Sequence, residues 1–369
     1  MSSQDAGQPI SPMEALRLMR LIEPVLYADV FDCPVTLDEL HAFNPLPLAP
    51  EELKTEIGRL VHFPRLVDNQ DGLFFLRGRD ALPATRLARD ESSARAWKQA
   101  RRVVRAVKYV PFLRGLLVTG SLAAWNARKG DDVDYLALVE PNRLWTVFLA
   151  LGLLQRLFSR RYLCCNYYLS VAHLGLRRRT PYVAREALQT RPIYGADSCR
   201  RFYEANPWVA EFFPNAHGVA KTGPGRDSAD ERKRAARCLS GGLERMLGGA
   251  FGNAIEALLK RLLGRRLAVH YRNNGQTVPQ DVMESAMAEV ELRFHALGHE
   301  GRIRREFERH KVVPTFLGYH GYPATVCVSV NEEIVLGIPG KRVIQDGDVV
   351  SLDLGCTHKG FVADSALTV

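Results

Sequence analysis

The chain has 369 residues, of which 46% are hydrophobic, and carries a formal net charge of +9. This length supports two or three domains with proper cores, and the apolar content excludes wholesale disorder. The basic balance favours anionic partners such as nucleotides, nucleic acid or phosphates without choosing among them.

The N-terminal MSSQDAGQPISPMEAL is polar and lacks the apolar core of a signal peptide. Leu18, Leu21, Ile22 and Val25 have helical spacing, with Pro24 expected to kink or break the helix. Thr36 and Glu39 form a capping box ahead of LDELHAF, and Pro50 opens a third helix, EELKTEIGRLVHF. Apolar runs on either side of Asp71-Gly72 predict a hairpin. Three helices followed by a hairpin is the order of a winged helix. The third helix carries Glu51, Glu52 and Glu56, which suit packing or partner docking better than DNA phosphates.

Ala84 to Val107 reads as a basic helix. Leu116 to Thr119 is an apolar strand, Leu122 to Arg128 a short helix, and Val133 to Val139 a second strand. The longest apolar run, Leu144 to Phe158, is interrupted by Thr146, Gly152, Gln155 and Arg156. It falls short of the roughly 18 to 20 residues a membrane span needs, so a buried helix is expected. A strand follows over Tyr162 to Leu169, with Cys164 and Cys165 as core residues. Residues 216–230 read as a linker, Glu231 to Leu267 and Val278 to His310 as helical, and from Val312 the texture turns to β. The seven cysteines form no CxxC pair and no finger spacing, which suggests a reducing cytosol. A cytoplasmic protein with no membrane partner is expected.

Two constellations carry chemistry. In the first, Asp132 and Asp134 stand two apart at the head of a strand, so their side chains share a face. Mg²⁺ with triphosphate oxygens is the natural occupant between two such carboxylates. Gly120 allows close approach of backbone to a phosphate, and Ser121 offers a hydroxyl ahead of a short helix with free N–H groups. The run GSLAAWNARKGDDVDYLALV resembles the DNA polymerase β-like nucleotidyltransferase superfamily, over roughly residues 26–310. The resemblance implies nucleotidyl transfer from a nucleoside triphosphate to an unknown acceptor, with Mg²⁺ on the catalytic Asp132 and Asp134 and phosphates at Gly120 and Ser121. The later-strand carboxylate of that superfamily falls here on Asn166, which cannot take a proton.

In the second, VVSLDLG and FVADSALTV flank THKG. A symmetric hairpin about that turn predicts Asp353 directly opposite Asp364, with Cβ atoms roughly 4.5 to 5.5 Å apart. Like charges so placed suit a metal pair at about 3.5 to 4 Å. The wording from Pro314 to Val369 resembles type I methionine aminopeptidases, the pita-bread metallopeptidases. The resemblance implies that Asp353 and Asp364 are metal ligands for Co²⁺, Mn²⁺, Fe²⁺ or Zn²⁺. The His that this family places before Gly-Ile-Pro is Leu336 here, and the family's remaining ligands, a His and two Glu, belong to the second half of its fold. His320 is expected to be structural.

The expected architecture is α+β: a winged-helix-like segment (1–82), a nucleotidyltransferase-like α/β core (83–215), a helical region with linker (216–310) and a partial, half pita-bread segment (311–369). The leading functional expectation is Mg²⁺-dependent nucleotidyl transfer, with a truncated, inactive aminopeptidase-like tail. The alternatives are a methionine aminopeptidase-type metallopeptidase in fragment or fusion form, and a non-enzymatic nucleotide- or partner-binding protein.

Overall fold

The computed structural model describes residues 12–62, 66–158, 160–177, 179–216, 234–273, 291–293, 307, 311–333, 337–339, 344, 348–358 and 361–368. The chain divides into two compact units, residues 1–294 and 295–369.

Unit 1 opens with α1 (Pro12–Asp29), β1 (Val35–Thr36), α2 (Leu37–Ala42) and α3 (Pro50–His62), then the hairpin of β2 (Val67–Gln70) and β3 (Leu73–Leu76). The stripe Leu21, Ile22 and Val25 of α1 packs with Leu40, Leu53, Ile57 and Val67 into one apolar cluster. The capping box forms: the Glu39 amide donates to Thr36 Oγ1 at 3.2 Å, and the Thr36 amide donates to Glu39 Oε2 at 2.9 Å. Asp71 and Gly72 take φ of 52° and 80°. This is the primed turn whose twist matches paired strands. β1 pairs with β3, completing a three-stranded antiparallel sheet. Of the kink or break expected at Pro24, the break does not occur: α1 runs through to Asp29. The carbonyl that proline's missing N–H leaves unbonded belongs to the exposed Arg20, where water can replace the lost partner.

Next come α4 (Leu82–Val107), β4 (Leu113–Thr119), α5 (Gly120–Ala123), β5 (Asp134–Val139), α6 (Leu144–Phe158), β6 (Cys164–Ser170), α7 (Pro181–Gln189), β7 (Arg191–Tyr194), α8 (Ala196–Glu204) and α9 (Val209–Phe212). The helices α10 (Arg234–Met246) and α11 (Gly249–Asn273) and the strand β8 (Glu291–Arg293) follow in this unit. A mixed five-stranded sheet runs in the order β7-β4-β5-β6-β8, with β5 and β6 parallel and the other neighbours antiparallel. Leu116 to Val118 and Tyr135 to Val139 are buried without alternation, as strands covered on both faces require.

Two carboxylates tie α10 and α11 to this core. Glu244 accepts from the Phe112 amide at 2.8 Å and from both terminal nitrogens of Arg114. The buried Glu256 of α11 accepts from the Trp145 and Thr146 amides at 2.6 and 2.9 Å, capping α6 from outside its own segment. On α7, the buried Arg185 guanidinium lies between the rings of Tyr27 and Phe43, at 3.9 and 4.2 Å from their centroids.

Several expectations are corrected. α6 is not a buried helix: Leu144, Trp145, Val147 and Leu151 are buried, but Leu149, Leu153 and Leu157 are exposed. The short helix expected over Leu122 to Arg128 is a single turn, Gly120–Ala123, after which Trp125 takes φ +55° and breaks it. The helix expected over Val278 to His310 contains β8, whose Glu291 to Arg293 pair with Leu169 to Tyr167; pairing along the sheet edge overrides the local pattern there. Cys165 is buried as expected, whereas Cys164 is only partly buried. Among the described residues, no helix is long and apolar enough to cross a membrane.

Unit 2 contains β9 (Val313–Pro314), β10 (Cys327–Val330), β11 (Val350–His358) and β12 (Phe361–Thr368), all antiparallel, with β11 central. Ala324, Val326, Cys327, Val330 and Val350 are buried, but Val313, Leu352, Val362 and Leu367 are exposed.

Candidate functional site

In unit 1 the sheet register assembles a site from three strand ends. Thr119, the last residue of β4, pairs with Asp134, the first of β5, and Asp134 pairs in turn with Cys164 at the start of β6. β4 therefore delivers Gly120 against Asp134. Gly120 has φ +65°, and a Cβ added to it would lie 3.1 Å from Asp134 Oδ2. The positive φ favours glycine here, and the close approach leaves a Cβ little room. From β6, Asn166 Nδ2 donates to Asp134 Oδ1 at 2.6 Å, and Cys164 Sγ donates to Asn166 Oδ1 at 3.2 Å.

Burial, with the Asp132 carboxylate as second cause, raises the Asp134 carboxyl from 3.8 to about 6; bonds from Cys164 and Asn166 oppose the rise. A carboxylate that resists ionisation beside a second carboxylate is a site where an added cation lowers the free energy of both. Asp132 is exposed at the lip, and Asp131 accepts from the Arg128 amide at 2.8 Å, closing the loop ahead of the pair. Ser121 is half-buried at the start of α5. Gly120 and Asp134 come together, with Ser121 next in chain; Asp132 lies near enough to act on Asp134, but β5 begins at Asp134, so Asp132 stands in the loop ahead of the strand and not on its face as expected. α5 is a single turn, which shortens the row of free N–H groups expected behind Ser121.

The supports of this site were not legible in the sequence. Arg191 Nε donates to the Ala123 carbonyl at 2.6 Å, pinning the end of α5. The buried Arg89 donates to Asn126 Oδ1 at 2.8 Å and to the Phe31 and Asp32 carbonyls. No motif flags a buried arginine on a helix that reads as basic and solvated. A separate cavity of about 560 Å³ is lined by Leu188, Phe202, Tyr203, Val209 and Phe213, among others, and by none of the candidate residues.

In unit 2 the expected juxtaposition is corrected. His358 pairs with Phe361, so the hairpin centre lies one residue further along than the symmetric reading placed it. Asp353 pairs with Ala366 and Asp364 with Gly355. The two aspartates are therefore diagonal positions of the same parity rather than direct partners. Diagonal Cα separations are roughly 7 to 8 Å, wide enough for a metal pair between two carboxylates. Asp353 is half-buried. Leu336 lies outside the described residues, as does the His320 side chain. Among the described residues, no group of three His, Cys, Asp or Glu comes together to hold a metal.

Residues 276–369 match Metallopeptidase family M24, a span that includes both aspartates and starts ahead of Lys311. The C-terminal part of this chain is methionine aminopeptidase-like, of the M24 pita-bread type. Methionine aminopeptidase 1 of Bacillus subtilis (strain 168) is 48% identical over 64 residues, 17% of this chain and 26% of that protein. Methionine aminopeptidase 1 of Mycobacterium tuberculosis is 37% identical over 122 residues, 30% of this chain and 44% of that protein. A crystal structure of methionine aminopeptidase from Thermotoga maritima shares 33% identity over 29% of this chain and 39% of its own, with a TM-score of 0.17. The chain spans less than half the length of these curated relatives. The comparisons give the nucleotidyltransferase expectation and its Mg²⁺ no support.

Proposed function

We propose that unit 2 is the metal-binding part of a methionine aminopeptidase-type metallopeptidase, with Asp353 and Asp364 as ligands to a divalent ion of the Co²⁺, Mn²⁺, Fe²⁺ or Zn²⁺ class. What carries this reading is that the M24 match spans a hairpin whose register sets both aspartates at diagonal positions of one parity. Two carboxylates fit such an ion only in part, because a tight binuclear site needs further nitrogen and oxygen donors and a base for its water. By themselves, these two carboxylates bind such an ion weakly. Titrating metal-free full chain with Co²⁺ or Mn²⁺ tests it: weak binding that Asp353→Ala with Asp364→Ala abolishes is expected. Binding unchanged in the double variant would remove the assignment. Release of methionine from a Met-Ala peptide, sensitive to Asp353→Ala, would show the site to be complete.

A second reading is favoured by one observation in unit 1, the packing of Gly120 against an Asp134 whose ionisation burial opposes. In this reading Asp132 and Asp134 hold Mg²⁺ with the phosphates of a nucleoside triphosphate beside Gly120 and Ser121, and the nucleotidyl group passes to an acceptor, with nucleic acid one candidate. Asn166 orients Asp134 and supplies no base. Incubation with labelled triphosphates and Mg²⁺ should give binding or adduct that Asp132→Ala with Asp134→Ala removes; its persistence in that variant would exclude the site.

A further inference from the structure

The helices α6, α10 and α11 together contain two carboxylates, and both are turned inward to structural duty. Glu244 holds Arg114 and the Phe112 amide; Glu256 caps α6. Nothing acidic on these three helices is left to face outward. What does face outward is apolar and basic. On α6, Leu149, Leu153 and Leu157 recur every fourth residue along one side and reach 79% exposure at Leu157, with Arg156 exposed beside it. On α11, Phe251, Leu258 and Leu262 are 63%, 55% and 57% exposed, with Arg261 exposed between the leucines. Leu243 and Met246 of α10 are exposed as well.

We propose that this α6–α11 face is a peripheral docking surface for an anionic phospholipid bilayer, on which the helices lie without crossing. The charge pattern chooses the occupant. Leucine and phenylalanine gain nothing against nucleic-acid phosphates, but they enter the acyl boundary of a bilayer while flanking arginines meet anionic headgroups. A second copy docked face to face would set arginine against arginine, which works against self-association. Exclusion of a transmembrane span rests on length, and an interfacial helix needs no such length. The proposal departs from the expectation of no membrane partner, and it is independent of either functional reading above.

The test is co-flotation of the full-length protein with vesicles of pure phosphatidylcholine and with vesicles of equal phosphatidylcholine and phosphatidylglycerol. Flotation with the anionic vesicles only, weakened by salt, is expected. Leu153→Ser with Leu157→Ser and Leu262→Ser should abolish it, and Arg156→Gln with Arg261→Gln should weaken partitioning by about fivefold per cation. All five side chains are exposed, and an unchanged melting curve certifies each variant's fold. No flotation, equal flotation with neutral vesicles, or a triple serine variant that floats like the wild type would each overturn the proposal. Light scattering that shows a dimer lost in the serine variant would assign the face to a second copy instead.

Discussion

Unit 1 and unit 2 differ in what they bury. Unit 1 encloses large side chains completely, Trp145, Tyr135 and Tyr168 among them, and ties its helices and loops together through the buried Arg89 and Glu256. Among the described residues, unit 2 buries Phe307 and a short row of small and β-branched residues and leaves Val313, Leu352, Val362 and Leu367 exposed along its sheet. Yet the family likeness, over residues 276–369, covers all of unit 2 and only the end of unit 1. Recognisable sequence follows ligands and turn residues, whereas a closed interior follows volume and pattern, which many sequences satisfy.

That contrast can be broken or sharpened by experiment. The largest effect is expected at Gly195, which has φ +71° and whose added Cβ would lie 2.0 Å from the Arg114 carbonyl oxygen. Gly195→Ala should cost unit 1 more than about 3 kcal/mol, read by denaturant unfolding and by loss of amide protection in β4 and β5. Tolerance of this change would show the core to be looser than the contrast requires. Glu256→Ala orphans the amides at the start of α6 and should cost about 2 to 3 kcal/mol in the same assay. A loss under about 0.5 kcal/mol would mean that water replaces the cap.

Asp134→Asn should act in the opposite direction. Burial and the neighbouring Asp132 push the folded carboxyl up to about 6, above its ordinary value of 3.8. The folded state therefore binds more protons between these values, and stability falls as pH rises from about 4 through 6, then levels off. Removing the charge should raise stability at pH 8 by on the order of 2 kcal/mol and change little at pH 4, as thermal melts across pH would show. The smallest effect on folding is expected in unit 2, where Asp364→Ala should shift stability by under about 0.5 kcal/mol while removing any rise in melting temperature produced by Co²⁺. A large loss without metal would give this aspartate a structural role.

Local signals were legible in the sequence. Thr36 with Glu39 and Asp71-Gly72 act within a few residues, and Gly120 meets Asp134 across two strands that neighbour each other in the chain, so chain order suffices to read them. The hairpin of β11 and β12 was read to within one position. Its centre is set by which residues form the turn, and a symmetric count over apolar residues does not fix that. Misreadings arose where partners are distant. The burial of α6 depends on what covers each side, and composition cannot tell Leu151, buried, from Leu153, exposed. β8 becomes a strand only because β6 offers an edge to pair with. Arg89 and Arg191 are charged letters in the sequence and struts in the fold, the first buried and the second half-buried.

The Arg185 guanidinium sandwiched between Tyr27 and Phe43 has a consequence for how the first helices move. Ring faces attract a cation without themselves carrying a charge that salt could screen. The seam between α7 and the N-terminal helices should therefore stay shut when ionic strength rises, while surface pairs such as Arg17 with Glu52 loosen. The N-terminal segment is a fixed bracket on the sheet rather than a swinging arm, and any ligand it meets must approach the bracket as it stands.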